Sequence, residues 1–94
     1  MNVHMIVCYD SADDRRRQQI AKTLLDCGTR IEESVFECVL EPLARVTLIA
    51  RLRDISGEWP EDRIHVIDLC SRCAQAIVAI GGAARASTCA VYIV

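Results

Sequence analysis

Apolar residues occupy both sets of alternating positions near the start of the chain, over residues 2–9. One face carries Val3, Met5, Val7 and Tyr9, and the opposite face carries Ile6 and Cys8. Because successive side chains of a strand point to opposite faces, two apolar faces predict a central strand that is buried on both sides. This strand leads directly into Asp10.

The following apolar positions have helical spacing over about residues 14–27. The stripe consists of Ile20, Ala21, Leu24 and Leu25. Ser11 stands three residues before Asp14, which is a helix-start pattern, and Asp13 is an alternative N-cap. Gly28 stands where a glycine commonly terminates a helix, so the pattern predicts that the helix ends there.

Residues 30–40 have a second strand pattern, with Ile31, Val35 and Val39 on one face. The pattern alone leaves open whether this range is one strand or a short hairpin. Pro42 suits the first turn of a second helix, whose broad apolar face continues to about Ile55.

The last third of the chain contains shorter elements. The segment SGEWPEDR is a predicted loop because of its glycine and proline, and strand-forming residues alternate over 63–69. The segment CSRCAQ predicts one helical turn. The segments AIVAIGG and CAVYIV predict two short strands, of which the second closes the chain.

This order of elements predicts an α+β fold with two helices on one face of an antiparallel sheet. If residues 30–40 form the two middle strands, the order is that of the ferredoxin-like βαββαβ motif. The closing strand CAVYIV is then an extra C-terminal strand, which could cover an edge of its own sheet or of a partner's sheet. We expect residues 1–94 to form a single domain.

Composition adds an expectation about assembly and about partners. A chain of 94 residues with 52% hydrophobic residues is small for its apolar content, which predicts a homodimer. The net charge of −2 argues against a strongly basic nucleic-acid binder. The ten arginines and one lysine hint at phosphate contacts, although a compositional bias of the genome explains the excess equally well.

The sequence also bears on the cellular compartment. The N-terminal residues lack the pattern of a signal peptide, and no apolar stretch reaches the length of a membrane-spanning helix. The six cysteines are scattered through predicted regular structure, which is typical of reduced thiols. We therefore expect a cytoplasmic protein with no membrane partner.

Asp10 is the foremost candidate for chemistry, because the end of a central strand holds a carboxylate on rigid backbone. The alternative interpretation is a loop residue favoured by the adjacent helix N-terminus. One carboxylate makes a poor metal site, but a two-fold dimer would supply Asp10 twice. Of the three consecutive arginines, only Arg17 is assigned a possible role, and the others are expected on a solvated helix face.

Two further patterns are weaker. Cys70 and Cys73 have the spacing of zinc ligands but lack a second pair, so two thiols on a short turn are the expected arrangement. His4 and His65 lie within predicted strands and are expected to line the sheet.

Several segments together resemble a known family. They are YD at the end of the first strand, ADDRRR, the AK.LL..G.R pattern, SVFEC, D.I.V..L and LC..C. In order and spacing they closely resemble the CRISPR-associated protein two family, over nearly the whole chain. Ser11 departs from the pattern, because the family usually has a branched apolar residue there.

The resemblance implies a fold, an assembly and an activity. It implies a ferredoxin-like two-fold homodimer whose C-terminal strand pairs with the partner subunit's sheet. It implies a metal-dependent endonuclease, using Mg²⁺ or Mn²⁺, that cuts single-stranded RNA or double-stranded DNA. It also implies a complex with the CRISPR integrase, in which the dimer supports prespacer DNA. A non-catalytic adaptor that bridges integrase subunits is the alternative.

The resemblance also assigns individual residues. The family's metal-binding aspartate corresponds to Asp10, and the aromatic residue before it to Tyr9. Arg17 and Arg30 correspond to basic positions associated with cleavage. The SVF motif places Ser34 and Phe36 among the site residues.

Overall fold

The computed structural model describes residues 1–82. Its elements are, in chain order, β1 (Val3–Asp10), α1 (Asp14–Leu25), β2 (Gly28–Glu32), β3 (Val35–Leu40), α2 (Pro42–Ser56), β4 (Arg63–Leu69) and α3 (Ser71–Gln75). The range 30–40 is therefore part of a hairpin rather than one strand. The predicted α+β class and the βαββαβ order are confirmed.

The four strands form one antiparallel sheet in the order β2-β3-β1-β4. β1 is a central strand, in which Val7 lies opposite Phe36 of β3 on one side and opposite Val66 of β4 on the other. The same register places Arg63 opposite Asp10. The end of β1 is thus flanked by the first residues of β4.

The hydrophobic core lies between the sheet and the two long helices. It consists of Met5, Val7 and Tyr9 from β1, Phe36 and Cys38 from β3, Ile20 and Leu24 from α1, and Leu48 and Leu52 from α2. The odd-numbered positions of β1 therefore face the helices. Ile6, Cys8 and Asp10 share the opposite face of the sheet, on which neither long helix packs and which we call the helix-free face.

Local signals fix where the helices begin. The side chain of Asp13 accepts a hydrogen bond from the Arg16 backbone N–H at 2.9 Å, so Asp13 is the N-cap of α1. Ser11, the other predicted cap, lies outside the helix. Pro42 begins α2, as predicted, because its missing N–H and fixed φ suit the first turn.

The predicted end of α1 at Gly28 is wrong. The helix stops at Leu25, and Gly28 is the first residue of β2, without a positive φ. A Cβ at Gly28 would lie 2.4 Å from the carbonyl oxygen of Glu37 and 2.6 Å from Sγ of Cys38. The glycine is required because the two strands approach closely, not because a helix terminates there.

The segment CSRCAQ forms the predicted helical turn, α3, but the strand predicted over 76–82 is absent. Residues 76–80 have no regular structure, and Gly81 has a φ of 69° in a turn. Val78 and Ile80 are largely exposed, and no strand among residues 1–82 pairs with this segment. At the start of this segment the backbone continues the turn after α3, since the Ile77 N–H donates to the Ala74 carbonyl at 3.4 Å. The predicted strand CAVYIV lies outside the described residues.

The length and polarity of the helices also bear on membrane insertion. Among residues 1–82, no helix combines the length and the apolar character that crossing a bilayer requires.

Candidate functional site

Asp10 is the last residue of β1 and is exposed to solvent. Its side chain shares the helix-free face with Cys8 and Ile6, and it lies opposite Arg63 of β4. Among residues 1–82, the Asp10 carboxylate forms neither a hydrogen bond nor an ion pair. The central strand therefore holds the Asp10 carboxylate, which has no partner among residues 1–82, on backbone that pairs with β4.

Tyr9, Ser34 and Phe36 lie close to this strand end but do not surround the Asp10 carboxylate. The Tyr9 ring is buried and stacks on Phe36 with ring centroids 6.2 Å apart. The Tyr9 hydroxyl donates to the Glu33 carbonyl at 3.3 Å, and the Tyr9 backbone N–H donates to the Ser34 carbonyl at 3.1 Å. These contacts fix the β2–β3 turn against the end of β1.

The two arginines assigned by the resemblance lie in different places. Nη1 of Arg17 donates to the carbonyl oxygen of Ser11 at 2.8 Å, and its guanidinium also pairs with Asp14. Arg17 thus holds the loop that directly follows Asp10. Arg30 lies on β2, two strands away from β1, with its guanidinium 5.1 Å from the centre of the Phe36 ring.

A buried carboxylate that the sequence did not indicate belongs to Asp62, next to the residue that lies opposite Asp10. The Asp62 side chain is fully buried and accepts from Nε of Arg16 at 2.7 Å, and from the hydroxyls of Ser11 and Ser56 at 2.8 Å each. The guanidinium of Arg16 and both hydroxyls lower the pKa of Asp62 to about 2. We call these four side chains the Asp62 cluster.

The Asp62 cluster connects both loops at this end of the sheet. Ser11 directly follows Asp10, and Asp62 directly precedes its cross-strand neighbour Arg63. The unusual serine at position 11 therefore has a structural reason, since its hydroxyl is buried against a carboxylate. Local sequence signals do not reveal this pairing, because Ser11 and Asp62 are 51 positions apart.

Arg16, expected on a solvated helix face, is instead largely buried. Its guanidinium lies 4.0 Å from the centre of the Trp59 ring and also reaches Glu61 at 3.7 Å. The indole is 46% exposed. The loop SGEWPEDR is thus held to α1 by a cation–π contact and an ion pair.

A cavity of about 470 Å³ opens beside this loop, between α2 and the edge strand β4. Its lining includes Ile49 and Leu52 of α2, Ile64 and Val66 of β4, and Trp59, Arg53 and Asp62. The walls are mostly apolar, and no sequence pattern indicated the cavity.

The chain's residues fit a divalent metal only in part. Among residues 1–82, no three histidine, cysteine or acidic side chains are grouped so that they could hold a metal ion. Asp10 alone would therefore supply one carboxylate per chain. Mg²⁺ often keeps several waters and binds one or two carboxylates together with substrate phosphates. A carboxylate oxygen is the correct donor type, and two copies of Asp10 would complete such a set.

The cysteine and histidine candidates do not form a site. The Cys73 backbone N–H donates to Sγ of Cys70 at 3.4 Å, which together with the Cys73 thiol lowers the pKa of Cys70. No further zinc ligand joins them among the described residues. His4 is buried on the helix-free face and forms a 2.5 Å hydrogen bond with Glu37, as expected of a histidine that lines the sheet.

The chain is similar to known proteins in sequence and in fold. The profile of the family described as CRISPR associated protein Cas2 matches residues 1–77. A curated relative from Chloroflexus aurantiacus, named CRISPR-associated endoribonuclease Cas2 1, is 40% identical over 76 residues, which are 81% of this chain and 82% of the relative.

Solved structures show the same fold. The chain is similar to Streptococcus pyogenes Cas2, with a TM-score of 0.71 and 28% identity over 83% of this chain and 99% of that one. A chain of a partial Cas6-RT-Cas1–Cas2 complex shares the fold, with a TM-score of 0.70 and 23% identity over 83% of this chain and 84% of that one.

Proposed function

The chain belongs to the Cas2 family of CRISPR-associated proteins, and from this premise we propose that it is a metal-dependent endonuclease that acts with the CRISPR integrase in spacer acquisition. The observation that carries the proposal is the uncommitted Asp10 carboxylate at the end of the central strand. The printed names of the curated relatives, which call them endoribonucleases, support the nuclease part of the proposal.

The proposed active unit is a homodimer that packs two helix-free faces together. Asp10 shares this face with Ile6 and Cys8 of β1 and with Ile67 of β4. Ile67 is 48% exposed, so this face presents apolar surface that a second copy could cover. Packing these faces about a two-fold axis would bring the Asp10 carboxylates of the two copies towards each other.

The proposed reaction is hydrolysis of a phosphodiester bond. A divalent metal held by Asp10 would supply Lewis-acid polarisation of the phosphate and a water of lowered pKa. Asp10 binds and orients, and its strand keeps it in place without reorganisation. Arg63, opposite Asp10 and in no ion pair among residues 1–82, contributes positive charge where the phosphate would lie.

Arg17 and Arg30 have separate parts in this proposal. Arg17 keeps the loop after Asp10 in position through the Ser11 carbonyl and adds positive charge near the phosphate. Arg30 lies two strands away, so we assign it a contact with the nucleic-acid backbone rather than with the scissile phosphate.

A second function, the non-catalytic adaptor, is favoured by a specific observation. Residues 1–82 offer a single candidate carboxylate and no group of metal ligands. The protein would then bridge integrase subunits and position duplex prespacer DNA, and Asp10 would be dispensable. The occurrence of this fold in a chain of a solved Cas6-RT-Cas1–Cas2 complex supports an integrase partner under either proposal.

The decisive experiment compares Asp10→Asn with Asp54→Asn. Asp54 is an exposed carboxylate on α2, so the second variant makes the same chemical change far from the helix-free face. We expect Asp10→Asn to lower Mg²⁺- or Mn²⁺-dependent cleavage of single-stranded RNA and duplex DNA by roughly 100-fold, the range seen when one electrostatic group is lost. Asp54→Asn should cleave at the parental rate.

Two further readouts separate the proposals. Mn²⁺ binding, followed by electron paramagnetic resonance, should weaken only in Asp10→Asn. Spacer acquisition in cells that supply the integrase tests the adaptor, because acquisition that survives Asp10→Asn while cleavage is lost assigns the cellular role to scaffolding. Cleavage that survives in Asp10→Asn would refute the metal site.

A further inference from the structure

The cavity between α2 and β4 has the shape and chemistry of a site for a flat, partly apolar ligand. Its volume of about 470 Å³ lies within the range of small-molecule sites. Ile49, Leu52, Ile64 and Val66 supply apolar walls, and β4 is the outermost strand on its side of the sheet formed by residues 1–82.

Trp59 provides an aromatic surface that is already in position. The indole lines the cavity, while the Arg16 guanidinium lies over the ring at 4.0 Å. Two backbone hydrogen bonds close the loop that carries this indole. The Trp59 N–H donates to the Ser56 carbonyl, and the Asp62 N–H donates to the Trp59 carbonyl, each at 3.0 Å. A half-exposed indole held this firmly can stack with a ligand at little entropic cost.

One cation of the cavity lining is available to an anionic ligand. The carboxylate of Asp62 also lines the cavity, but it is fully buried and paired with Arg16. Glu61 also pairs with Arg16. Arg53 lines the cavity, is exposed, and forms no ion pair within residues 1–82, so its guanidinium is available to a phosphate.

We propose that this cavity binds an unpaired nucleobase of a single-stranded nucleic acid, with Trp59 stacking on the base and Arg53 contacting its phosphate. The proposal rests on the proposed function for the nature of the ligand. The two sites lie at the same end of the sheet but on its opposite faces, because Ile64 lies opposite Tyr9, which faces the helices, and Arg63 lies opposite Asp10.

The site selects single strands for a physical reason. A base within a duplex is stacked and paired, so it cannot enter a cavity beside the indole without being extruded. An unpaired base has both faces available and stacks on an aromatic side chain regardless of its identity. To reach Asp10, the strand next to that base would pass around the first residues of β4 to the other face of the sheet.

The experiment uses the intrinsic fluorescence of Trp59, which is the only tryptophan of the chain. Full-length Asp10→Asn protein is titrated with single-stranded oligouridine RNA and with a duplex of equal length. Working in this background separates binding from cleavage. We expect saturable quenching of Trp59 by the single strand and no quenching by the duplex.

Two pairs of variants test the assigned contacts by anisotropy of a labelled oligonucleotide. Arg53→Gln should weaken single-strand binding about 10-fold, whereas Arg51→Gln should leave it unchanged. Arg51 is on the same helix but pairs with Asp26 at 3.7 Å and does not line the cavity. Trp59→Ala should weaken binding about as much, and Trp59→Phe should retain it, since phenylalanine still stacks.

Three outcomes would overturn the proposal. The first is binding by anisotropy without any change in Trp59 fluorescence, and the second is equal quenching by single strand and duplex. The third is a fluorescence change that follows protein concentration without oligonucleotide, which would show that another copy covers the cavity. Cleavage by Asp10→Asn with intact quenching would refute the metal site while supporting the base site.

Discussion

At the residue scale, the carboxylates of Asp10 and Asp62 differ in burial and in hydrogen bonding, and so in what they can bind. Asp10 is exposed and, among residues 1–82, without a partner, so its charge is available to a ligand. Asp62 is fully buried, and its oxygens accept hydrogen bonds from Arg16, Ser11 and Ser56. Burial alone would raise the pKa of Asp62, but these donors stabilise the charged form more strongly.

Asp62 predicts a specific acid dependence of stability. Its pKa in the folded chain is about 2, below the ordinary value of 3.8, so the folded state binds this proton less readily. The stabilisation is complete above about pH 3.8 and is lost as the pH falls towards 2. Asp62→Asn should therefore melt at a lower temperature than the parent at pH 6. Between pH 4 and pH 2, its melting temperature should fall by less than that of the parent.

Circular dichroism melts over this pH range provide the measurement, with Asp54→Asn as the matched control. The Asp54 carboxylate is exposed on α2 and forms no ion pair within residues 1–82, so its variant should follow the parent. Parallel pH curves for Asp62→Asn and the parent would contradict the assignment of the low pKa.

The sequence predicted the position of Asp10 at the end of β1 but not its surroundings. An alternating apolar run that ends in an aspartate is a local pattern, so the end of β1 could be predicted. The contacts of Arg16 with Asp62 and Trp59 join segments more than 40 positions apart along the chain. No periodicity encodes such pairs, which explains why Arg16 was expected on a solvated face.

At the element scale, the β2–β3 hairpin determines where the first helix must stop. Gly28 belongs to β2, and its backbone lies against Glu37 and Cys38 of β3. Any side chain at this position would separate the two strands. The same residue type predicted a helix end because glycine serves both purposes, and only the tertiary contact distinguishes them.

Gly28→Ala is expected to destabilise the fold by about 2 kcal/mol, because the new methyl group would collide with the Glu37 carbonyl and the Cys38 sulfur. Gly82→Ala is the control, since no atom lies within 4 Å of a Cβ built there. Urea unfolding followed by circular dichroism measures both variants. Equal midpoints for the two would show that the hairpin tolerates the methyl group.

Most strands and helices were predictable because they have strong period-two or helical patterns. The segment 76–82 is the exception, since its apolar alternation resembles a strand, yet it lies beside none among residues 1–82. A strand is defined by its neighbour as much as by its own residues. Sequence patterns alone therefore overstate strands near the end of a sheet.

At the scale of the whole molecule, the fold has one helix-covered face and one helix-free face. Apolar residues that point to the helix-free face include Ile6, Cys8, Val35 and Ile67, and they lie beside the buried pair of His4 and Glu37. Asp10 lies at the margin of this face. The homodimer predicted from the sequence would cover these apolar residues and bring the Asp10 margins together.

Ile67→Lys tests this arrangement. We expect the variant to be monomeric at micromolar concentration by multi-angle light scattering and to lose metal-dependent cleavage, because a buried lysine would oppose packing of the two faces. Leu43→Lys is the matched control, since Leu43 is an exposed apolar residue on α2, in the helix layer. A dimeric Ile67→Lys protein, or a monomeric parent, would contradict the packing.

The sheet order has a consequence for how the chain folds. Arg16 and Ser11 belong to the first half of the fold, whereas Ser56 and Asp62 belong to the second half. The pairing of β1 with β4 joins the two halves. The Asp62 carboxylate can lose its water only when both halves have met, since a buried charge without its partners is strongly unfavourable. Burial of the Asp62 carboxylate therefore depends on the arrival of Arg16 and Ser11 from the first half of the fold, so the pairing of β4 with β1 and the burial of this charge are linked.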